Sequence, residues 1–249
     1  FLERGSERPF FLQVNFTAPH DPLLSPPGWE ETYDPKRMPL PENFAGRHPF
    51  DHGNYDGRDE QLNSWPRKKK DIRRDLATYY AVISHMDQQV GRILAVLEKS
   101  GQAEKTIVIF TSDHGLALGS HGLMGKQNMY EHTWRIPFIV KGPGIKPGSR
   151  AAGNIFLLDV LATFCDLAGI KAPATSEVLS FRPVLEGKKE VVRDVLYGAY
   201  CGGGRPGTRC VKKGDWKLTK YDVTKTGVRH TQLFNLKENP HEFIKAHQS

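Results

Sequence analysis

Residues 111–126 read TSDHGLALGSHGLMGK, one acid, two histidines, four glycines and a lysine directly behind the apolar run TIVIF. An aspartate followed by a histidine offers a carboxylate and an imidazole to one cation, and Gly115 lets the backbone turn closely around them. Lys126 offers a fixed positive charge to an anionic substrate oxygen. His20, behind a second apolar run, offers a proton to a leaving group. An isolated Asp-His pair serves equally well as a loop cap with its ring bonded to nearby backbone. The catalytic reading therefore requires elements that bring these residues to one edge of a sheet.

The hydrophobic pattern supplies such elements. PFFLQVNF at 9–16 reads as a short buried strand opening into the loop TAPHDP. Residues 24–66 are crowded with Pro, Gly, Asn, Asp and aromatics and show neither period, the mark of a long functional loop. Trp29, Tyr33, His48, His52, Tyr55, Arg58 and Trp65 in it suit sugars and their anionic substituents, although a rigid loop folded on itself fits the same composition. Leu76, Tyr79, Tyr80, Ile83, Met86, Val90, Ile93, Leu94 and Leu97 recur at helical spacing, and Gly101 closes that helix. TIVIF at 106–110 reads as a second strand and residues 135–143 as a third. Asp159 stands before a helix that Gly169 stops. This rhythm predicts an α/β fold, a mixed, mostly parallel sheet flanked by helices. Ligands in such sheets gather beyond the carboxyl ends of the strands, which is where Asp113, His114 and His20 fall. After about residue 190 the pattern becomes short strands separated by CGGGRPG and VTKTG, so the division is an α/β domain over 1–189 and a small antiparallel subdomain over 190–249.

Composition narrows the function classes. With 249 residues, 38% hydrophobic and 25% charged, the chain can bury a core. No apolar run reaches the roughly 18 residues of a membrane span, and the N-terminus lacks the order of a signal peptide. The compartment stays open. Three cysteines rule out a disulfide framework but leave a Cys201–Cys210 bridge open. The formal charge of +7 comes with no nucleic-acid reading module, and the densest basic run, RKKK at 67–70, reads as a solvated helix start. The sequon at Asn15 falls in the expected buried strand and reads as unglycosylated.

Taken together, the chain resembles the sulfatase family of the alkaline phosphatase-like superfamily. The strand with its P-H-x-P turn at 19–22, the long helix leading to S-D-H-G at 112–115, and L-G-x-H-G-x-x-x-K at 118–126 carry the likeness. RIPFIVKGPGI, LLDVLATFCDLAGI, LSFRPVLEGK, GDWKLTKYD and LFNLKENPHE continue it in order. The resemblance implies a sulfuric ester hydrolase. Asp113 and His114 match ligands of a divalent cation, usually calcium, although calcium prefers oxygen to the His114 nitrogen. Lys126 matches the lysine that contacts the sulfate and the nucleophile. His20 matches the histidine that binds the sulfate ester and assists the leaving oxygen, and His121 lies in the same loop as a substrate-lining candidate. The implied substrate is a small sulfated molecule such as a sulfated sugar, with no nucleic acid.

One departure bears on activity. The family's nucleophile is a formylglycine made from C-x-P-x-R or S-x-P-x-R, with two more acidic ligands nearby, and these 249 residues contain neither element. The chain therefore reads as the C-terminal part of a longer sulfatase, with the formylglycine expected upstream and no turnover expected from this portion alone. The competing readings are a phosphonate monoester hydrolase or phosphodiesterase of the same superfamily, and a non-catalytic binding domain.

Overall fold

The computed structural model describes residues 2–4, 8–201 and 207–244. Within them the chain forms two compact units, each assembled from separated stretches of sequence.

The first unit comprises Phe1–His48, Asp56–Thr106 and Leu116–Gly125. Its backbone is helix α1, Lys69–Lys99, whose 31 residues extend about 46 Å. Ile72, Leu76 and Ala77 on this helix pack with Met38, Leu118 and Met124, and Tyr33, Phe44 and Tyr79 close over that core. The long loop and the glycine-rich 117–125 segment are thus held by the same helix face. The helix ends as its sequence predicts. The Ser100 N–H donates to Val96, the Gly101 N–H to Glu98, and Gly101 adopts φ +70°. Its apolar stripe extends further than its packing, for Tyr80 and Leu94 are exposed.

Two expectations for this unit are corrected. Residues 9–16 form no strand and are not buried, and Phe11 is 70% exposed. An apolar run signals a demand for burial but cannot name the neighbouring strand that would meet it. The sequon at Asn15 accordingly lies on exposed chain, against the expectation of a buried one. Arg67 is not part of a solvated helix start. It is fully buried, while Lys68, Lys69 and Lys70 are exposed as expected.

The second unit comprises Pro49–Tyr55, Ile107–Gly115 and Lys126–Ser249. Strand β1, Val108–Thr111, pairs antiparallel with β2, Phe138–Lys141, in the register Val108 to Lys141 and Thr111 to Phe138. Between them lies the single turn α2, Glu131–Trp134. Helix α3, Asp159–Leu167, begins at the expected aspartate and stops before Gly169 at φ +70°. The Asp159 carboxylate is buried and takes two 2.6 Å bonds from Arg193 along with the N–H groups of Phe156 and Leu179.

The C-terminal strands form the expected antiparallel sheet, a meander of β3 (Val195–Tyr200), β4 (Gly207–Lys213), β5 (Trp216–Val223) and β6 (Val228–Asn235). Most of the CGGGRPG connection, residues 202–206, lies outside the described residues. Cys165, Cys201 and Cys210 are all free thiols, so no Cys201–Cys210 bridge forms. The buried side of this sheet mixes Cys210, Tyr221, Val223 and Phe234 with Thr208, Lys217, Thr219 and Gln232, whereas Tyr197, Val211, Leu218 and Leu233 stand in register as one exposed apolar row across all four strands. The buried Lys217 ammonium is matched by Glu131 at 3.0 Å and Glu242 at 2.9 Å, and Glu242 in turn accepts the Glu131 N–H at 2.7 Å. Placing the charge inside therefore leaves no unpaired ion.

Candidate active site

The S-D-H-G turn leaves β1 in the second unit. The Ser112 hydroxyl donates to the His114 carbonyl at 2.8 Å, and the Asp113 carboxylate accepts the His114 N–H at 3.0 Å. The turn is pressed against α2. The Gly115 N–H donates to Thr133 at 2.9 Å, and a Cβ at position 115 would lie 1.9 Å from the His132 carbonyl oxygen. Only glycine fits there, as the close turn in the sequence requires. His114 Nδ1 lies 3.0 Å from the Gly115 carbonyl oxygen, which can only accept, so Nδ1 is the donor there. Its Nε2 lies 3.4 Å from the Asp113 carboxylate, whose side chain is 81% exposed. One ring nitrogen and one carboxylate oxygen thus stand side by side. This donor set fits part of a coordination shell for a divalent cation that tolerates nitrogen. No third His, Cys, Asp or Glu joins them among the described residues.

Lys126 also belongs to the second unit and is half-buried. Its N–H donates to Gln127 Oε1 at 3.2 Å, and that oxygen also meets the Asn54 amide at 3.5 Å.

His20 and His121 belong to the first unit. The Ala18–Pro19 and Asp21–Pro22 peptide bonds are both cis. His20 Nδ1 lies 2.7 Å from the Asp21 carbonyl oxygen and 3.4 Å from the Asp21 carboxylate. Because a carbonyl only accepts, Nδ1 is the donor here. His121 is buried, 4% exposed, with φ +52°, and its ring Nε2 meets the Asn43 amide at 3.0 Å. Its N–H donates to the Asn43 carbonyl at 2.9 Å. Gly122 follows at φ +75°, where a Cβ would meet the Arg47 carbonyl carbon at 2.6 Å.

The long loop resolves into residues spent on packing and one that is not. Trp29 stands edge-on to His85, Tyr33 edge-on to Tyr80 with its hydroxyl 2.8 Å from Ser84, and Trp65 lies under the Arg67 guanidinium at 3.5 Å. His48 and His52 are buried. Arg58 alone among the seven loop residues singled out in the sequence reaches well into solvent, with a side chain 63% exposed.

Sequence reasoning missed the groups that hold these loops. Glu60, buried, accepts the Met124 and Gly125 N–H groups and pairs with Arg67. Arg67 in turn donates to the Gly122 carbonyl at 3.1 Å. Burial raises the Glu60 pKa against the pull of these hydrogen bonds and of Arg67. Neither Asp21 nor Glu60 was singled out in the sequence, since the contacts that give them their roles are not local.

Residues 1–170 match the family Sulfatase, and residues 119–249 match N-sulphoglucosamine sulphohydrolase, C-terminal. An arylsulfatase of Clostridium perfringens is 32% identical over 245 residues, 96% of this chain and 49% of that protein. An N-acetylglucosamine-6-O-sulfatase of Bacteroides thetaiotaomicron is 38% identical over 140 residues, 56% of this chain and 24% of that protein. A solved structure described as in complex with its substrate D-glucosamine-2-N,6-O-disulfate superposes with a TM-score of 0.64 at 29% identity, covering 70% of this chain and 36% of the other. The chain belongs to the sulfatase family and shares its alkaline phosphatase-like fold. It spans about half the length of the Clostridium relative.

Proposed function

We propose that this member of the sulfatase family forms part of a metal-dependent sulfuric ester hydrolase acting on a sulfated sugar. The observation that carries the reading is the Asp113–His114 pair, a carboxylate and an imidazole nitrogen 3.4 Å apart on a turn that only Gly115 permits. The sugar class rests on the relatives, one a sulfatase of N-acetylglucosamine 6-O-sulfate and one bound to a glucosamine disulfate.

Asp113 and His114 would hold the cation, calcium by family resemblance, with the rest of its shell supplied by residues other than these two. A bound divalent cation supplies positive charge toward the sulfuryl oxygens. Lys126 adds a second, fixed positive charge toward those oxygens. His20 gives a proton from Nε2 to the departing alcohol oxygen as the sulfur–oxygen bond breaks, with Nδ1 anchored on Asp21. His121 is proposed as a lining residue held by Asn43. The family's formylglycine would come from a C-x-P-x-R or S-x-P-x-R motif outside these 249 residues, and no step here is derived through it.

The test is calorimetric titration of the full-length protein with calcium and with manganese, alongside Asp113→Asn and His114→Ala. The reading expects each variant to lose metal affinity by tenfold or more while its unfolding temperature stays close to that of the parent. Equal metal binding by parent and variants would contradict it.

A further inference from the structure

The single turn α2 stands between the Asp-His turn and the C-terminal sheet. On one side it seats the Asp-His turn, since the Gly115 N–H donates to the Thr133 carbonyl at 2.9 Å and the His132 carbonyl fills the space of a Cβ at 115. Four residues cannot hold a helical conformation by themselves, because a first turn fixes several dihedral angles for one hydrogen bond. Tertiary contacts must set it, and all four strands of the sheet supply them. The Trp134 ring lies against Gly198 of β3, 2.1 Å from where a Cβ would stand. Lys212 of β4 reaches the Glu131 carboxylate at 3.2 Å, and Lys217 of β5 reaches it at 3.0 Å. Tyr130, which precedes α2, donates its hydroxyl to Gln232 of β6 at 3.0 Å. Glu242 closes the cluster, accepting the Glu131 N–H at 2.7 Å and pairing with Lys217 at 2.9 Å.

The side chains of Lys217 and Glu242 are buried from water. Apolar residues of similar volume would serve stability as well, because the desolvation of buried ions offsets most of their attraction. What the ions add is direction. An apolar surface lets a short helix slide, whereas the Lys217 ammonium admits the Glu131 carboxylate in one place and Glu242 holds the N–H of the same residue. We infer that the C-terminal sheet is a positioning element for the cation pair. Lys217 and Glu242 fix Glu131, Glu131 fixes α2, and α2 fixes the turn that carries Asp113 and His114. Lys217 is thereby a positioning residue that acts through Glu131. The inference rests on the reading of Asp113 and His114 as cation ligands and adds to it the part of the molecule that sets their geometry.

The experiment uses the full-length protein, its Lys217→Met variant and a triple variant that joins Lys217→Met to Glu131→Gln and Glu242→Gln. Lys217→Met alone strands two carboxylates. The triple variant removes all three charges together while its amides still accept and donate, so it carries the test if the single variant does not fold. Hydrogen exchange at Gly115 is measured in metal-free protein against the amides of α1, and calcium and manganese affinities are measured by calorimetry. The triple variant is expected to keep an unfolding temperature within about 3 °C of the parent. It should exchange Gly115 about tenfold or more faster, with α1 unchanged, and bind metal about tenfold or more weakly. Parental exchange at Gly115, or parental metal affinity, in a folded variant would overturn the inference. A rise in exchange shared equally by α1 would overturn it too, since loss of global stability alone produces that. If the parent binds neither metal, the cation reading fails on its own, and exchange at Gly115 still decides whether the cluster positions the turn.

Discussion

Glu60 and Gly125 stand 65 residues apart in sequence, and the Glu60 carboxylate accepts the Gly125 N–H at 2.9 Å. The same carboxylate accepts the Met124 N–H at 3.0 Å and pairs with the buried Arg67, which reaches the Gly122 carbonyl. A single ion pair therefore fastens both sides of the glycine-rich turn that contains His121. Glu60→Ala strands a buried arginine and should cost about 3–5 kcal/mol. Glu60→Gln should cost less and should raise hydrogen exchange at Met124 and Gly125 before it affects the amides of α1. Uniform loss of protection along both segments would show that the clamp is not local.

Acid stability follows from Asp159. Burial pushes its pKa up, but the Arg193 hydrogen bonds, the N–H groups of Leu179 and Phe156 and the Arg193 charge outweigh it, so the net shift is downward from 3.8. A carboxyl with a depressed folded pKa contributes stability that is present above its unfolded value and lost as pH falls through the folded one. Urea midpoints should therefore drop more steeply below about pH 4 for the parent than for Asp159→Asn, which should also be less stable at pH 7 by about 3 kcal/mol. Parallel pH profiles would contradict this.

The seat of the Asp-His turn makes a further prediction. A Cβ at residue 115 would lie 1.9 Å from the His132 carbonyl, and that oxygen belongs to backbone that cannot move without α2. Gly115→Ala should destabilise the protein by roughly 1–3 kcal/mol and weaken metal binding at Asp113 and His114 as well. A fully stable variant with parental metal affinity would show that the turn has room to spare.

How far the sequence could be read depended on whether the deciding contact was local. Helix α1, its Gly101 stop, β1, β2, α3 and the four C-terminal strands were all written in periodicity and turn chemistry. Gly115 was legible because a tight turn behind an Asp-His pair needs it. Residues 9–16 misled because hydrophobicity reports a wish for burial and not the partner. Arg67 misled for the opposite reason. It sits in a run of bases whose other members are solvated, and its burial rests on Glu60, the Gly122 carbonyl and other groups outside that run. The burial of Lys217 in the C-terminal sheet was equally hidden, since alternation shows that two faces differ but only Glu131 and Glu242 make a charge on the inner one possible.

The outer face of the same sheet has a solution consequence. The exposed row of Tyr197, Val211, Leu218 and Leu233 is contiguous across four paired strands. Such a patch promotes association. Leu218→Thr combined with Leu233→Thr should lower the sedimentation-derived association of the 249-residue chain without lowering its unfolding temperature by more than about 3 °C. Identical sedimentation of parent and variant would remove the patch as the cause.

The central claim is that this chain serves hydrolysis of a sulfate ester, with Lys126 and His20 acting on the ester itself. The most direct measurement is turnover of an aryl sulfate and an aryl phosphodiester by the full-length protein, with calcium and with a chelator, alongside Lys126→Ala and His20→Ala. The account predicts calcium-dependent cleavage of the sulfate, with kcat reduced a hundredfold or more in each variant, on the order expected for loss of a charge-stabilising or acid group. Cleavage of the diester alone, or sulfate turnover that neither variant diminishes, would contradict it.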